Sequence, residues 1–489
     1  MSLSNLVKRL QDIMRNDAGI NGDAQRIEQM VWIIFLKIYN YKEEEWEAIY
    51  DDYESIIPEN LRWNNWAVDR KDGKALTGEE LLSFVNTELF PTLKKLEITE
   101  DTPLVKSIVK SAFEDNNNYM KDGILLRQVI NVIDEIDFED YNERHAFGDI
   151  YESILRSLQS AGNAGEFYTP RAVTDFIMKI INPKLSERMA DFACGTGGFL
   201  ASALNILKDE LNTPSNREDF NKFIYGVEKK ALPFLLCVTN MFIHDIDGPN
   251  ILHGNALEGD VRGAKEDDKF DIIVMNPPYG GSEKDNIKLN FPMDLRSSET
   301  ADLFIVLIMY RLKLKGRSAV ILPDGFLFGT DNIKVAIKQK LFREFNVHTI
   351  IRMPHSVFAP YTSITTNIIF FENDGCGTKE TWVYRLDMPE GYKNFSKTKP
   401  MKLEHFNEVF EWWNNRKEIS FDGFDKSRKY SIDEIVDRNY NIDLCGYPHE
   451  EEEILSPDEL IRQYQERRAI LDSDIDRVLD NIMTILKND

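Results

Sequence analysis

The stretch Phe270-Asp271-Ile272-Ile273-Val274-Met275-Asn276-Pro277-Pro278-Tyr279-Gly280 decides the fold. Ile272–Met275 is apolar without alternation, the pattern of a short strand covered on both faces. Pro277 and Pro278 cannot extend a central strand, because neither has an N–H for the ladder. The strand therefore stops at an Asn-Pro-Pro-Tyr corner. Asn276 and Tyr279 stand at its C-terminal end, where open α/β sheets place their ligands.

That corner suits an amine whose lone pair is delocalised into a neighbouring π system, as in adenine N6 or a carboxamide. The Asn276 side-chain oxygen accepts one N–H, and the Pro277 carbonyl, freed from the sheet, a second. Two acceptors on one NH2 favour a pyramidal nitrogen whose lone pair attacks an activated methyl group. Tyr279 offers a face for stacking a planar group, worth about 1–3 kcal/mol for a base on an aromatic ring. Taken alone, a plain Pro-Pro turn after a core strand competes with this reading.

Working outward, Met189-Ala190-Asp191-Phe192-Ala193-Cys194-Gly195-Thr196-Gly197-Gly198-Phe199-Leu200 reads as strand, glycine-rich turn and helix start. Glycines let the backbone approach a ligand, and a helix N-terminus favours a carboxylate or phosphate. The spacing is neither G-x-G-x-x-G nor G-x-x-x-x-G-K-[ST], which argues against NAD and ATP. A nucleoside carrying an amino acid fits better. About one βαβ unit later a second strand ends in Glu228, where doubly wound folds bind ribose hydroxyls. Ile251–Leu257 adds a third strand end, with Asn255 and Ala256 placed beside an exocyclic amine. Upstream, the loop Ala161–Arg171 carries Glu166, Phe167, Tyr168, Thr169 and Pro170, with Thr169 as N-cap and Pro170 as first helical residue. Such a loop suits a small zwitterion. The ordered series of strand ends is far more specific than any one of them.

The chain has 489 residues, four Cys, seven His and a formal net charge of −24. A chain this acidic is a poor general polyanion binder, since affinity for phosphates comes from Lys and Arg releasing counterions. Any nucleic-acid grip must be local or supplied by a partner. The cysteines form no zinc or disulfide pattern, and no His or carboxylate spacing suggests a catalytic metal. A reducing cytoplasm fits, and no apolar run is long enough to suggest a membrane span.

Residues 1–145 read as a helical domain, with stripes at Leu6, Leu10, Met14 and at Ile27, Met30, Val31, Ile34, and a loop at Trp63–Trp66. A helix is expected over Phe147–Leu155, and strands over Ser318–Pro323, His348–Met353, Thr366–Phe371 and Trp382–Leu386. Residues 282–299, polar and without periodicity, are expected to form a mobile loop beside the site. Phe358 is either a second wall against a flipped base or core packing. In the tail, Ser456–Glu459 reads as a capping box, and Leu471, Ile475, Val478, Ile482 and Ile485 form a heptad-like seam, either for docking on another chain's helices or for folding back on the chain's own core.

Together these segments resemble the DNA-methylation (M) subunits of type I restriction–modification systems. The matching stretches are Phe147–Leu155, Gly165–Arg171, Asp191–Leu200, Asn276–Tyr279, Leu322–Phe328 and Phe358–Phe371. The resemblance implies a Rossmann-like S-adenosyl-L-methionine-dependent methyltransferase domain over 146–430, after the N-terminal helical domain and before a 431–489 extension for subunit docking. It implies transfer to adenine N6 in DNA after the base leaves the duplex. Glu166–Pro170 and Asp191–Phe199 would hold the methionine moiety, Glu228 the ribose and Asn255 the cofactor's adenine; Asn276, Pro277, Pro278 and Tyr279 would hold the target base. Phe192 stands where Pro is common, and Asn255 where Asp is common. A separate specificity (S) subunit would read the sequence in an M2S assembly with two copies of this chain, joined by a restriction (R) subunit. Release-factor glutamine methyltransferases and RNA guanine-N2 methyltransferases share Asn-Pro-Pro-Tyr, but usually lack the N-terminal domain and heptad tail. A cofactor-binding, non-catalytic subunit is the third alternative.

Overall fold

A computed structural model describes residues 5–158, 161, 168–447 and 461–479, apart from single positions 71, 422, 463, 467, 470 and 474. Glu166, Phe167, Ser456–Glu459, Ile482 and Ile485 lie outside the described residues. By contacts the chain divides into Met1–Gly446 and Tyr447–Asp489.

The larger unit is built on a ten-stranded sheet. Its strands are β1 (Met189–Asp191), β2 (Ile224–Glu228), β3 (Ile251–His253), β4 (Phe270–Met275), β5 (Leu312–Pro323), β6 (Asn346–Arg352), β7 (Thr366–Glu372), β8 (Glu380–Arg385), β9 (Ile419–Phe421) and β10 (Phe424–Ser431). They run in the order β3-β2-β1-β4-β5-β7-β6-β8-β10-β9. The first five are mutually parallel, and β7 lies antiparallel between β5 and β6. The strand order reverses between β1 and β4, the topological switch point where such sheets bind ligands.

β4 shows why its sequence does not alternate. Ile272 and Val274 enter the core on one face of the sheet, while Phe270, Ile273 and Met275 enter the core on the other. Both faces are covered over Ile272–Met275, so each of these four positions is apolar.

The N-terminal helices belong to the same unit. Helix Gly22–Ile49 is buried on nearly all sides, including Trp32, Ile33 and Leu36 outside the expected stripe. It packs on helix Ala231–Ile243, with Phe35 and Tyr39 against Phe242. Lys42 reaches Asp245 at 3.1 Å and Asp247 at 2.9 Å, and Arg144 reaches Asp245 at 3.2 Å. Buried charges of this kind need such partners, because desolvation is costly. The expected boundary at 145 falls inside the helix Tyr141–Ser157. Trp63–Trp66, expected as a loop, is a helical turn with both indoles buried and donating, to Asp134 and to the Leu61 carbonyl.

Residues 282–299 also differ from expectation. They form short turns at Asp285–Lys288 and Met293–Leu295, and bury Ile287, Phe291 and Leu295. Lys334 bonds Glu299 and Asp302, and Ser297 bonds Asp302, which anchors the segment's C-terminal end. Three apolar anchors spaced by four hold an otherwise polar stretch. Beyond the expected boundary at 430, a capping box at Ser431 and Glu434 starts helix Ile432–Asp437, and Ile435, Ile442 and Leu444 join the second core. Among the described residues no helix is long and apolar enough to cross a membrane.

The second unit is helical over its described residues 461–479, with Arg462–Glu466 and Arg468–Asp472 ion pairs one turn apart. Leu471, Ile475 and Val478 are exposed, as are Ile461 and Tyr464.

Candidate active site

A cleft opens at the switch point. It is lined by Asp191, Ala193, Gly195, Gly198 and Phe199 from the β1 turn, and by Glu228, Asn255 and Ala256 from the neighbouring strand ends. Thr169, Asn276 and Pro278 line it from the other side. The glycine turn and the Asn-Pro-Pro-Tyr corner therefore face a common space.

The turn is tightly held. Gly195 and Gly197 adopt φ of +55° and +79°, a region that favours glycine. Gly197 caps the helix Gly198–Leu207, and a Cβ there would lie 2.7 Å from Cys237 Sγ. Thr196 is buried behind the turn. Thr196 and Gly197 thus shape the turn rather than line the cleft. Glu228 accepts from Gly195 N at 2.9 Å and from Lys230 N at 2.7 Å, which ties the end of β2 to the turn. Hydrogen bonding with Cys237 and burial push the Cys194 thiol up, so it is no nucleophile.

Asp191 is 1% exposed, and its one resolved donor is Ala193 N at 3.1 Å. Burial, reinforced by the neighbouring Glu228 carboxylate and opposed by that N–H, raises its pKa to about 8. Asp191 and Glu228 line the cleft together with Lys229 and Lys230, and a ligand bearing an ammonium or sulfonium group suits the two acids.

Tyr168 does not line the cleft. Its hydroxyl donates to Glu152 at 3.0 Å, and Arg171 bonds the same carboxylate at 2.7 Å, so this part of the loop is scaffold. The next helix is Arg171–Ile181, with Pro170 at the N-cap. Thr169, expected as the cap, instead uses its hydroxyl to accept from Asn276 Nδ2 at 3.1 Å.

The corner itself is closed. Asn276 Oδ1, the expected acceptor, takes a very short hydrogen bond from the Tyr279 hydroxyl. Pro277 is buried and Pro278 exposed. Phe358 is 4% exposed and meets Tyr279 edge-on, with ring centroids 6.5 Å apart and an interplanar angle of 88°. The two rings do not form parallel walls, and Phe358 takes the packing alternative in this conformation. Burial, with Tyr361 nearby, pushes the Tyr279 phenol well above its usual range, so it stays a donor.

The cleft also contains residues that sequence reading missed. Glu283, its side chain 9% exposed, bonds Lys229 Nζ at 2.9 Å and Asn255 Nδ2 at 3.4 Å. Asn255 Oδ1 already accepts from Leu257 N at 3.1 Å. Thr300 and Phe304 complete the wall. Glu283 lies within the segment read as a mobile loop, whereas Thr300 and Phe304 belong to the helix Thr300–Arg311, where the sequence shows a helical pattern around Phe304. Among the described residues no cluster of three metal-binding side chains occurs.

Residues 142–454 match the family model of the N-6 DNA methylases, and residues 3–133 match that of the HsdM N-terminal domain. The methylase subunit of the type I restriction enzyme EcoEI of Escherichia coli is 51% identical over 474 residues, 96% of this chain and 95% of that protein. The EcoKI methylase subunit of E. coli K12 is 28% identical, over 83% of this chain and 75% of that protein. A modification subunit attributed to a type I restriction enzyme of Vibrio vulnificus YJ016 superposes with a TM-score of 0.75 at 38% identity, covering 88% of this chain and 92% of that one. A chain from a structural study of type I R–M complex assembly gives 0.80 at 33% identity, covering 100% and 99%. The chain belongs to the N-6 DNA methylases, within the family of type I restriction enzyme methylase subunits.

Proposed function

We propose that this chain transfers the methyl group of S-adenosyl-L-methionine to N6 of adenine in DNA. The observation that carries the reading is the single cleft joining Asn276 to Gly195, Asp191 and Glu228. Family membership supports the reaction class.

The cofactor supplies a methyl group activated by a sulfonium. Asp191, with its raised pKa, would hold the ammonium end, and Gly195, Gly198 and Phe199, which line the cleft, would receive the methionine end. Glu228 would receive the ribose hydroxyls, and Asn255, Ala256 and Glu283, which line the same cleft, would hold the adenine end. A duplex base reaches this depth only after leaving its stack. Tyr279 then swings off Asn276, freeing Oδ1 for one N–H of the target amine, and the Pro277 carbonyl takes the other. The ring of Tyr279 stacks the base, and Phe358 supports it edge-on. The nitrogen lone pair is thereby aimed at the methyl carbon, so catalysis is positioning and electrostatics with no covalent enzyme intermediate.

Sequence choice belongs, on this reading, to a specificity subunit, in an assembly with two copies of this chain and a restriction subunit, in the cytoplasm. The exposed apolar residues of 461–479 and the net charge of −24 support a docking tail and a partner-supplied DNA grip. Tritium transfer from labelled cofactor to DNA, with and without the specificity subunit, tests this. Label is expected in N6-methyladenine. Label accepted only by a glutamine peptide or by RNA would contradict it. A chain cut before Ser456 is expected to lose assembly with the specificity subunit; equal assembly would remove the tail from the account.

A further inference from the structure

The geometry points to Glu283 as the group that accepts the 6-amino group of the cofactor's adenine, and so makes the cleft select adenine over hypoxanthine. The inference rests on the reading of S-adenosyl-L-methionine as cofactor. Within that reading it moves to Glu283 a contact that the sequence places at Asn255.

The far end of the cleft lies past β3. In the order β3-β2-β1-β4, the end of β3 stands three strand spacings, about 14 Å, from the end of β4. Asn276 follows β4 directly, Asn255 lies just past β3, and both line the same cleft. An extended ligand whose reacting end is at Asn276 therefore puts its opposite end at Asn255 and Glu283, which lines the cleft as well.

Two partners orient the Asn255 amide. Leu257 N donates to its Oδ1 at 3.1 Å, and its Nδ2 donates to Glu283 Oε2 at 3.4 Å. A flipped amide would set its NH2 against the Leu257 N–H and its oxygen against a carboxylate, so the orientation is fixed. Towards Glu283, Asn255 thus offers a donor, and an NH2 does not accept from another NH2. Glu283 is the acceptor of the pair. Lys229 Nζ donates to its Oε1 at 2.9 Å. An ionised carboxylate has about four acceptor sites, so capacity remains for an N–H of a ligand beside Lys229 and Asn255.

The carboxylate is firmly placed, with its side chain only 9% exposed. The Gly281 carbonyl accepts from Thr300 N at 2.9 Å, and Ser282 forms an antiparallel bridge with Glu299, which fastens the two ends of the segment together. Ile287, Phe291 and Leu295 anchor the stretch between them. A group held this way selects by its chemistry rather than by adapting. A carboxylate only accepts. Opposite adenine it takes an N–H from the 6-amino group. Opposite hypoxanthine it meets the 6-oxo oxygen, acceptor against acceptor. A site arranged around a hydrogen bond rejects the analogue that cannot make it. Glu283 is also four residues past Tyr279, so one short segment contributes to both ends of the cleft.

The test measures binding of S-adenosylhomocysteine and of its deaminated counterpart, S-inosylhomocysteine, to the full chain by calorimetry. Neither compound carries a transferable methyl group, so turnover does not interfere. Wild type is expected to favour the adenine compound by about ten- to a hundredfold, the range of one hydrogen bond to a charged group. Glu283→Gln keeps the shape but carries both a donor and an acceptor, so this preference should largely vanish. Glu283→Ala, which removes both groups, should lose the preference through weaker binding of the adenine compound. Asn255→Ala should keep most of the preference, whatever it costs in affinity. A role confined to holding the segment would weaken both compounds alike and leave their ratio intact. The assignment is overturned by a ratio unchanged in both Glu283 variants, by a ratio that collapses in Asn255→Ala but not in Glu283→Gln, or by a wild type that binds both compounds equally. In each of these cases the cofactor reading survives. A wild type that binds neither compound removes that reading, and this assignment with it.

Discussion

The two halves of the cleft are in different states. On the cofactor side the backbone is already committed: Glu228 clamps the glycine turn through Gly195 N, and the φ +79° of Gly197 is wedged against Cys237. This half also holds a buried acid, Asp191, beside Glu228. On the target side the charge and hydrogen-bond balance is complete, but only because the groups bond one another. Asn276 spends its NH2 on Thr169 and its oxygen on Tyr279. The first half is preformed. The second is self-satisfied and must open. Preorganisation on one side and a breakable internal contact on the other suit an order in which cofactor binds to a rigid site and the base is admitted last.

The largest effect on cofactor binding should come from removing the buried acid. Asp191→Asn is expected to lose cofactor affinity by about a hundredfold or more, as a buried charge-assisted contact worth several kcal/mol disappears. The same change should raise the melting temperature of the ligand-free chain near neutral pH. The folded pKa of about 8 lies above the usual unfolded value of roughly 3.9. Between those values the folded chain keeps a proton that the unfolded chain has lost. The stability tied to that proton is complete below about pH 4 and is lost as pH rises through about 8. Melting curves across that range should therefore fall less with pH in Asp191→Asn than in wild type. Parallel curves would break the contrast at its cofactor side.

Gly197→Ala attacks the rigid backbone instead. The new Cβ meets Cys237 Sγ at 2.7 Å and must sit at positive φ, a combination expected to cost about 1–3 kcal/mol of stability. Chemical denaturation would report it, and an unchanged midpoint would mean the turn is softer than described.

Smallest, and most revealing of the target side, is Tyr279→Phe. It keeps the ring for stacking but removes the hydroxyl that occupies Asn276 Oδ1. Admission of the base no longer breaks a hydrogen bond, worth about 1 kcal/mol. The expected result is a KM for DNA lowered a few-fold with kcat within a few-fold of wild type. A large loss of kcat would make the hydroxyl part of the chemistry rather than a gatekeeper.

The same contrast explains what could be read from residues alone. The β4 strand, its proline stop, the glycine turn and Glu228 carry local signals: an apolar run, a missing N–H, positive φ and an acid at a strand end. Each follows from backbone physics that does not depend on distant contacts. The internal pairings do depend on them. Nothing in Thr169-Pro170 announces that the hydroxyl serves Asn276, 107 positions away, rather than its own helix. Residues 282–299 looked mobile because Ile287, Phe291 and Leu295 are diluted among polar neighbours, yet those anchors bring Glu283 into the cleft. β10 was missed for the same reason: Asp425-Lys426-Ser427-Arg428-Lys429 lacks strand composition, and its place follows from pairing with β8.

The central claim is that the Asn276 carboxamide holds the acceptor amine within the cleft that binds the cofactor. Asn276→Ala tests it most directly, by nucleoside analysis of DNA after a single turnover with labelled S-adenosyl-L-methionine. The account predicts label in N6-methyladenine from wild type and a loss of about a hundred- to a thousandfold in the variant, with cofactor affinity nearly unchanged. Full labelling by Asn276→Ala, or loss of cofactor binding together with transfer, would contradict it.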